Sequence, residues 1–326
     1  MVADMPAPCV VGVDMGGTKL LAGAIDAQLN VHHRAHRLLP GLDQDGVLDA
    51  TVDAVREVRE ATEGTVQAAG FGIPCTIDRT RGVAVQAVNL PLADVAFGDL
   101  MADRLDLPAF VDNDANLAAL AEHRAGAARE TSHAVMLTIG TGIGGGLVLH
   151  GRLYRGWLGA GAELGHTVVD MDGPPCQGNC PNRGCLEAVA SGTALEREAR
   201  AAAEAQPESQ LGRLHGSGRE LTGALVTELA HEGDALARDV VALIGRRLGV
   251  GIAGFVNAFN PEVVVMGGGV MGAGELLLAP ARAEVAARAL PPARDAVRIV
   301  AARLGPEAGM VGAGAMAWDE LGRRAA

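Results

Sequence analysis

The segment Asp14-Met15-Gly16-Gly17-Thr18-Lys19 and the later run Gly140-Thr141-Gly142-Ile143-Gly144-Gly145-Gly146 carry residue types that can hold phosphate. Glycine has no β-carbon, so the main chain can approach a ligand closely and several backbone N–H groups can converge on one anionic group. Each run leaves one apolar segment and enters another: Val10 to Val13 and Leu20 to Ile25 around the first, Ala134 to Ile139 and Leu147 to Leu149 around the second. That pattern is strand, glycine turn, strand, whereas a Walker loop has longer glycine spacing and opens a helix. In this arrangement Asp14 can hold Mg²⁺ through water, Thr18 can bind a phosphate oxygen, and Lys19 lies beside them. Gly140, Thr141 and Gly142, with Gly144 to Gly146 behind them, would face the first turn across a cleft and donate to the β- and γ-phosphates of ATP. A third glycine group, Gly267-Gly268-Gly269, ends the apolar run Pro261 to Met266 and could lie flat under an adenosine. A tight hairpin explains any one of these alone. Three of them, each leaving an apolar strand, are hard to explain as unrelated bends.

The strand-like Ala109 to Val111 runs into Asp112-Asn113-Asp114 and an alanine-rich helix from about Ala115 to Ala128. A carboxylate at such a corner can hydrogen-bond a hydroxyl and accept its proton as a phosphoryl group is transferred, which makes Asp114 the candidate base. Asn113 offers both a donor and an acceptor to a hydroxyl. The competing explanation is helix capping by Asp112 or Asn113. Further on, Gly161-Ala162-Glu163-Leu164-Gly165-His166 precedes Cys176-x3-Cys180-x4-Cys185, and three thiols with one imidazole are a tetrahedral zinc set. Four protein ligands close such a site, so its job would be structural. The alternative is a group of buried free thiols; Cys9 and Cys75 have no such neighbours and are read as structural.

A formal charge of -12 repels phosphate backbones and anionic lipid, which argues against nucleic-acid or membrane-surface partners. Aromatic residues make up only 2% of the chain, and nothing resembles a base-stacking platform. The N-terminus has no basic region followed by a sustained apolar segment, and five cysteines cannot all pair, so a reducing, cytoplasmic setting is expected. The longest apolar tract, residues 248–259, is interrupted by glycines and Asn257 and reads as a buried helix.

The elements that must position these groups follow from periodicity. Asp45 to Glu60 carries Val47, Leu48, Val52, Val55 and Val58 at helical spacing, and Val66 to Ile73 reads as a buried strand. Leu186 to Glu204 and Asp234 to Phe259 read as helices, Arg294 to Arg303 as a strand, and Glu307 to Leu321 as a closing helix. His32, His33 and His36 lie in polar surroundings and are read as solvated. The result is an α/β chain of two similar lobes with a mostly parallel sheet. Residues 1–112 would form a small lobe with the first phosphate hairpin, joined by a C-terminal helix at about 307–326. Residues 113–306 would form a large lobe with the base, the second phosphate turn, the zinc cluster and the adenosine turn.

Taken in order, VGVDMGGTK, VDNDAN, IGTGIGGG, GAELGH and CPNRGCLE closely resemble the ROK family of bacterial sugar kinases and repressors, its glucokinases above all. The resemblance spans nearly the whole chain. It implies a two-lobed actin-like ATPase fold of the hexokinase type, with the active site in the cleft. It implies ATP-dependent phosphorylation of a hexose, glucose at its 6-hydroxyl, with mannose, fructose or an N-acetylhexosamine as alternatives and polyphosphate as an alternative donor. It makes Asp114 the base and gives Asn89, Asn113, Glu163, His166 and Glu187 sugar contacts, with His166 facing sugar and zinc together. Cys176, Cys180 and Cys185 complete the zinc site, and a homodimer or homotetramer is implied. Two features depart from the family pattern: three residues, not fewer, separate Cys176 from Cys180, with Pro181 after the second, and Cys75 stands where glycine is common. Family repressors carry a winged helix-turn-helix ahead of the first phosphate turn, and here that turn begins by residue 14, so an enzyme is expected. A silent sugar sensor and an actin-like filament protein are the readings from other classes.

Overall fold

The computed structural model describes residues 7–78, 82–87 and 90–325. The chain begins with β1 (Cys9–Met15), buried along most of its length, which turns into β2 (Lys19–Ile25) and then β3 (Val31–Leu38), all antiparallel. Helix α1 (Gln44–Ala61) starts where Asp43 accepts the Gly46 N–H at 2.9 Å, and it buries Val47, Leu48, Val52, Val55 and Val58 against the sheet. It delivers the chain to β4 (Val66–Ile73), which pairs parallel to β1. A small antiparallel sheet follows, β5 (Cys75–Asp78), β6 (Val83–Ala87) and β7 (Ala93–Val95), and then α2 (Phe97–Leu105). Strand β8 (Ala109–Asn113) closes the first sheet parallel to β4, and α3 (Asp114–Ala125) leaves it directly.

The second half repeats this plan. Strands β9 (Ala134–Ile139), β10 (Ile143–Leu149) and β11 (Arg152–Tyr154) are antiparallel. After the loop region 155–185 come α4 (Leu186–Ala190), α5 (Gly192–Ala205), α6 (Gln210–Gly216), α7 (Gly223–Glu232) and the long α8 (Ala235–Phe259). Strand β12 (Val263–Gly267) pairs parallel to β9, and α9 (Glu275–Arg288) with the short α10 (Ala293–Ala296) leads to β13 (Arg298–Ala301), parallel to β12. Helix α11 (Ala308–Ala325) ends the described chain. The sheets run β3-β2-β1-β4-β8 and β11-β10-β9-β12-β13, the same order in each.

Each main sheet exits into a helix that packs between the sheets. Helix α11, leaving the second sheet, lies on the first so closely that a β-carbon at Gly12 would meet the Met310 carbonyl oxygen at 2.1 Å, and one at Gly70 the Ala313 oxygen at 2.0 Å. Helix α3, leaving the first sheet, packs on β10 and on α11. These backbone contacts bring the two sheets together around the corner that carries Asp114, and they explain why so small-residued a C-terminal helix is buried. No helix among the described residues is long and apolar enough to cross a membrane.

Two expectations are corrected and a third is extended. Leu186 to Glu204 is not one helix: it breaks at the fully buried Ser191, whose hydroxyl caps α5 by accepting the Ala194 N–H at 3.2 Å. The stretch Arg294 to Arg303 is strand only over Arg298–Ala301, its start being the helical turn Ala293–Ala296. Residues 31–38, read as polar surroundings for exposed histidines, form the edge strand β3, on which His32, His33 and His36 do remain exposed.

Candidate active site

The first glycine turn joins β1 to β2, and Gly16 N–H donates to the Lys19 carbonyl at 2.8 Å to close it. Thr18 and Lys19 are exposed, Gly17 is half-buried, and Asp14 is half-buried one position before the end of β1. The second turn joins β9 to β10 and closes through Gly140 N–H to the Gly142 carbonyl at 2.9 Å. Gly268, after β12, has φ of 90°, and a β-carbon on it would meet the Ile139 backbone nitrogen at 2.6 Å. Only glycine lets that third turn press onto the end of β9 beside the second. Gly145, expected at the phosphates, is placed elsewhere: it lies inside β10, where a β-carbon would strike the Ala162 carbonyl oxygen at 2.3 Å. Its absent side chain makes room for the segment carrying Glu163.

The β8-to-α3 corner is a helix cap that also carries the candidate base. Asn113 Oδ1 accepts the Ala115 and Asn116 N–H groups at 2.9 and 3.2 Å, and its Nδ2 lies 3.4 Å from the Cys75 carbonyl. Its oxygen is therefore committed to the cap, and one amide hydrogen remains for a ligand. Asp112 is 1% exposed; its Oδ1 accepts the Asn113 N–H at 2.8 Å and Asn116 Nδ2 at 3.1 Å, and its Oδ2 pairs with Arg155 Nε. Asp114 accepts the Ala115 N–H at 2.8 Å through one oxygen.

The carboxyls of this region feel one another. Burial pushes Asp114 up to about 6, held back by the backbone N–H bonds and raised further by the Glu163 charge. Asp14 is pushed up to about 7 by burial first and by Asp114 second, against Lys19. Glu163 is raised by burial, with the His166 imidazole opposing and Glu187 adding. Asp14, Asp114, Glu163, Glu187 and His166 thus lie as a chain of interacting groups in one region. A divalent cation beside Asp14 would relieve a crowding of negative charge that the protein alone leaves in place.

Glu163 precedes the turn Leu164–His166 and Glu187 lies on α4. Glu187 Oε2 accepts the Ile143 N–H at 2.8 Å, and a β-carbon at Gly142 would come within 2.2 Å of that oxygen, so Glu187 fits under the second glycine turn. Its Oε1 lies 3.8 Å from Cys176 Sγ.

His166, Cys176, Cys180 and Cys185 bring one donor atom each to within 4.8 Å of the others. Cys176 Sγ is 3.5 Å from His166 Nδ1, and Cys180 Sγ is 3.8 Å from Cys185 Sγ. A tetrahedral ion with Zn–S near 2.3 Å separates its sulfurs by about 3.8 Å, so the residues present fit zinc. The wider spacing between Cys176 and Cys180 still brings Cys176 into the group. Burial and the neighbouring thiols push the Cys176 thiol up strongly, as expected for anions crowded without a counter-charge. All five cysteines are free thiols.

Asn89 lies outside the described residues. Sequence reading missed Arg155, which anchors Asp112, and Gly309, which faces the Asp14 carboxylate. It also missed Gln177, Ser191 and Thr193, which surround the second turn. No local signal pointed at Gln177, whose contact with Thr141 spans 36 positions.

Residues 10–320 match the ROK family. A glucokinase from Thermotoga maritima is 36% identical over 320 residues, spanning 98% of this chain and 100% of that protein. The crystal structure of a ROK family glucokinase from Streptomyces griseus in complex with glucose and AMPPNP is also 36% identical and superposes with a TM-score of 0.84, covering 95% of this chain and 99% of that one. A ROK family transcriptional regulator superposes equally well, with a TM-score of 0.85 at 29% identity, covering 94% of this chain and 77% of that one. The two-lobed actin-like ATPase fold is therefore common to enzymes and regulators, and the fold alone does not choose between them. On the match over nearly its whole length, this chain belongs to the ROK family.

Proposed function

We propose that this protein transfers the γ-phosphoryl group of ATP to the 6-hydroxyl of glucose, with Asp114 as the base. The observation that carries this reading is the Asp114 carboxylate at the first position of α3, held by the Ala115 N–H, with a pKa near 6 and Asp14 and Glu163 as its charged neighbours. At neutral pH such a group is largely ionised and still basic enough to receive a proton. The names of the relatives support the sugar and the donor: the Thermotoga maritima protein is a glucokinase, and the Streptomyces griseus structure holds glucose and AMPPNP.

In this reading the sugar is oriented by Glu163, His166, the remaining amide hydrogen of Asn113 and the remaining oxygen of Glu187, with Asn89 as a further contact. The 6-oxygen forms its bond to the γ-phosphorus as the bond to the β–γ bridging oxygen breaks. ADP carries away that electron pair, and the hydroxyl proton passes to Asp114. Catalysis is mainly positioning and charge stabilisation by N–H groups of the turns at Gly16-Gly17-Thr18 and Gly140-Thr141-Gly142. Lys19 lies beside the first turn, and Gly268 would underlie the adenosine. Asp14 would hold Mg²⁺ through water, and the ion bound with ATP would supply neutralisation of phosphate charge. Zn²⁺, when bound by His166, Cys176, Cys180 and Cys185, would fix the loop that carries the sugar contacts.

The reading includes a lobe boundary near residue 112, with a small lobe of residues 1–112 and about 307–326 closing on a large lobe of 113–306, a cytoplasmic setting, and assembly as a homodimer or homotetramer. Light scattering on the purified protein tests the last of these. The likeness to a transcriptional regulator favours a second reading, in which the same cleft senses a sugar without turnover. A coupled assay of ADP release separates the two, using glucose, mannose, fructose and N-acetylhexosamines with ATP or polyphosphate. Turnover with glucose and ATP that is lost in Asp114→Ala is the expected result. Sugar binding with no turnover on any of them would overturn the kinase reading in favour of the sensor.

A further inference from the structure

We infer that Gln177, within the widened stretch between Cys176 and Cys180, is a positioning residue for nucleotide, tying the metal loop to the second glycine turn. The inference rests on the reading of that turn as a phosphate site.

The carbonyls of the turn are held from one side. Gly140 carbonyl oxygen accepts the Gly192 N–H at 2.8 Å, and Thr141 carbonyl oxygen accepts Thr193 Oγ1 at 2.9 Å and Gln177 Nε2 at 3.3 Å. Gln177 Nε2 is itself 3.1 Å from Ser191 Oγ, the hydroxyl that caps α5. The cis peptide bond of the described chain is Pro291-Pro292, so the peptides of the turn are trans. In a trans peptide the carbonyl oxygen and the following N–H point to opposite sides. Holding the Gly140 and Thr141 carbonyls toward Ser191–Thr193 therefore aims the Thr141 and Gly142 N–H groups the other way. Those are the donors that a phosphate chain would need, and a flip of either peptide would replace a donor with a carbonyl oxygen.

Gln177 is bracketed by the metal cluster. It follows Cys176 directly, and its own carbonyl accepts the Cys180 N–H at 3.4 Å. With both thiolates on one ion the backbone on either side of Gln177 is fixed, so its amide reaches Thr141 with little entropy left to lose. On the other edge of the turn Glu187, two residues after Cys185, holds the Ile143 N–H. The metal loop and the start of α4 therefore hold the turn at two points, Gln177 at Thr141 and Glu187 at Ile143.

The experiment measures AMPPNP affinity by calorimetry, metal content, and KM for ATP against KM for sugar and kcat, in the wild type, Gln177→Ala and Gln177→Glu. Glu has nearly the same size as Gln but presents only acceptors when ionised. Both variants are expected to keep one metal per chain and wild-type sugar affinity, while AMPPNP affinity falls and KM for ATP rises about 5-fold, the scale of one neutral hydrogen bond. In Gln177→Glu the loss should be at least as large, because a carboxylate faces the Thr141 carbonyl. Wild-type AMPPNP affinity in both variants, or a wild-type value in Gln177→Glu alone, would overturn the inference, the latter by assigning Gln177 to packing. Loss of metal and of sugar affinity in parallel with nucleotide would also overturn it. A wild-type protein that binds no AMPPNP would instead bring down the phosphate-site reading itself.

Discussion

The carboxylate of Asp14 is packed against Gly309, at the first turn of the C-terminal helix. A β-carbon at Gly309 would come within 2.4 Å of Asp14 Cγ and 2.5 and 2.7 Å of its oxygens. The beginning and end of the chain thus meet at the residue expected to hold Mg²⁺. Gly309→Ala is expected to displace Asp14, because α11 is wedged by its backbone against Gly12 and Gly70 and has no room to retreat. We expect a fall in kcat of about 10-fold or more and a stability loss of about 1–3 kcal/mol, read by steady-state kinetics and urea denaturation.

Asp114 should control the acid limb of the pH profile. Its carboxyl is raised to about 6, so kcat is expected to climb as pH rises through about 6 and then level off on that limb. Stability runs the opposite way. The folded pKa exceeds the unfolded value, so the native state binds more protons between about pH 4 and pH 6, and stability falls as pH rises through that window. Asp114→Asn keeps an oxygen for the Ala115 N–H and removes the buried charge. It should abolish turnover yet raise the unfolding free energy at pH 8 by on the order of 2 kcal/mol, measured by denaturant titration at pH 4 and pH 8.

The Cys and His cluster should bind one zinc per chain. Cys180→Ala is expected to lose the metal and to expose the loop around residues 167–185 to proteolysis. That loop otherwise relies on a few backbone bonds, such as Cys176 N–H to the Asn182 carbonyl at 2.9 Å and Gly184 N–H to the Pro174 carbonyl at 2.8 Å. Metal analysis and limited proteolysis, compared with the wild type before and after chelation, check this. Retention of stoichiometric zinc by the variant would remove Cys180 from the ligand set.

Arg155 is expected to be worth more than its place in a loop suggests. Asp112 is 1% exposed and Arg155 pairs with its Oδ2, so Arg155→Met removes a positive charge from beside a buried carboxylate that keeps its bonds to Asn113 and Asn116. A loss of about 3–5 kcal/mol is expected from urea denaturation. The double variant Arg155→Met with Asp112→Asn should recover much of that loss. Because Asp112 also braces the Asn113 N–H and Asn116, kcat should remain low in the double variant even where stability returns.

Much of this molecule was legible before any coordinates. Val66–Ile73 and Ala134–Ile139 read correctly end to end because both are interior strands, almost wholly apolar and bounded by polar segments, so local hydrophobicity alone marks them. The corner at Asp112-Asn113-Asp114 was legible because a strand's end and a helix's cap are both local signals, and the structure uses Asn113 as the cap as well. The edge strand Val31–Leu38 was not legible: with His32, His33, Arg34 and His36 exposed, its pairing with β2 is a property of the sheet and not of its own residues. The break at Ser191 carried a local signal, Ser191-Gly192-Thr193, that was outweighed by the alanine-rich flanks, and the buried Ser191 hydroxyl sets the cap there.

The glycine turns, the strand-to-helix corner at Asp112-Asn113-Asp114 and the close spacing of Cys176, Cys180 and Cys185 were set by the sequence itself, because each depends on residues within a few positions of one another. Tertiary structure decided which of those groups touch. Glu187 reaches Ile143 across 44 positions, Arg155 reaches Asp112 across 43, and Gln177 reaches Thr141 across 36. Gly145 packs inside β10 against the Ala162 segment instead of facing the phosphates. Glycine's tolerance of close approach is a local property, but what approaches it is fixed by how two sheets, each sending a helix between them, come together.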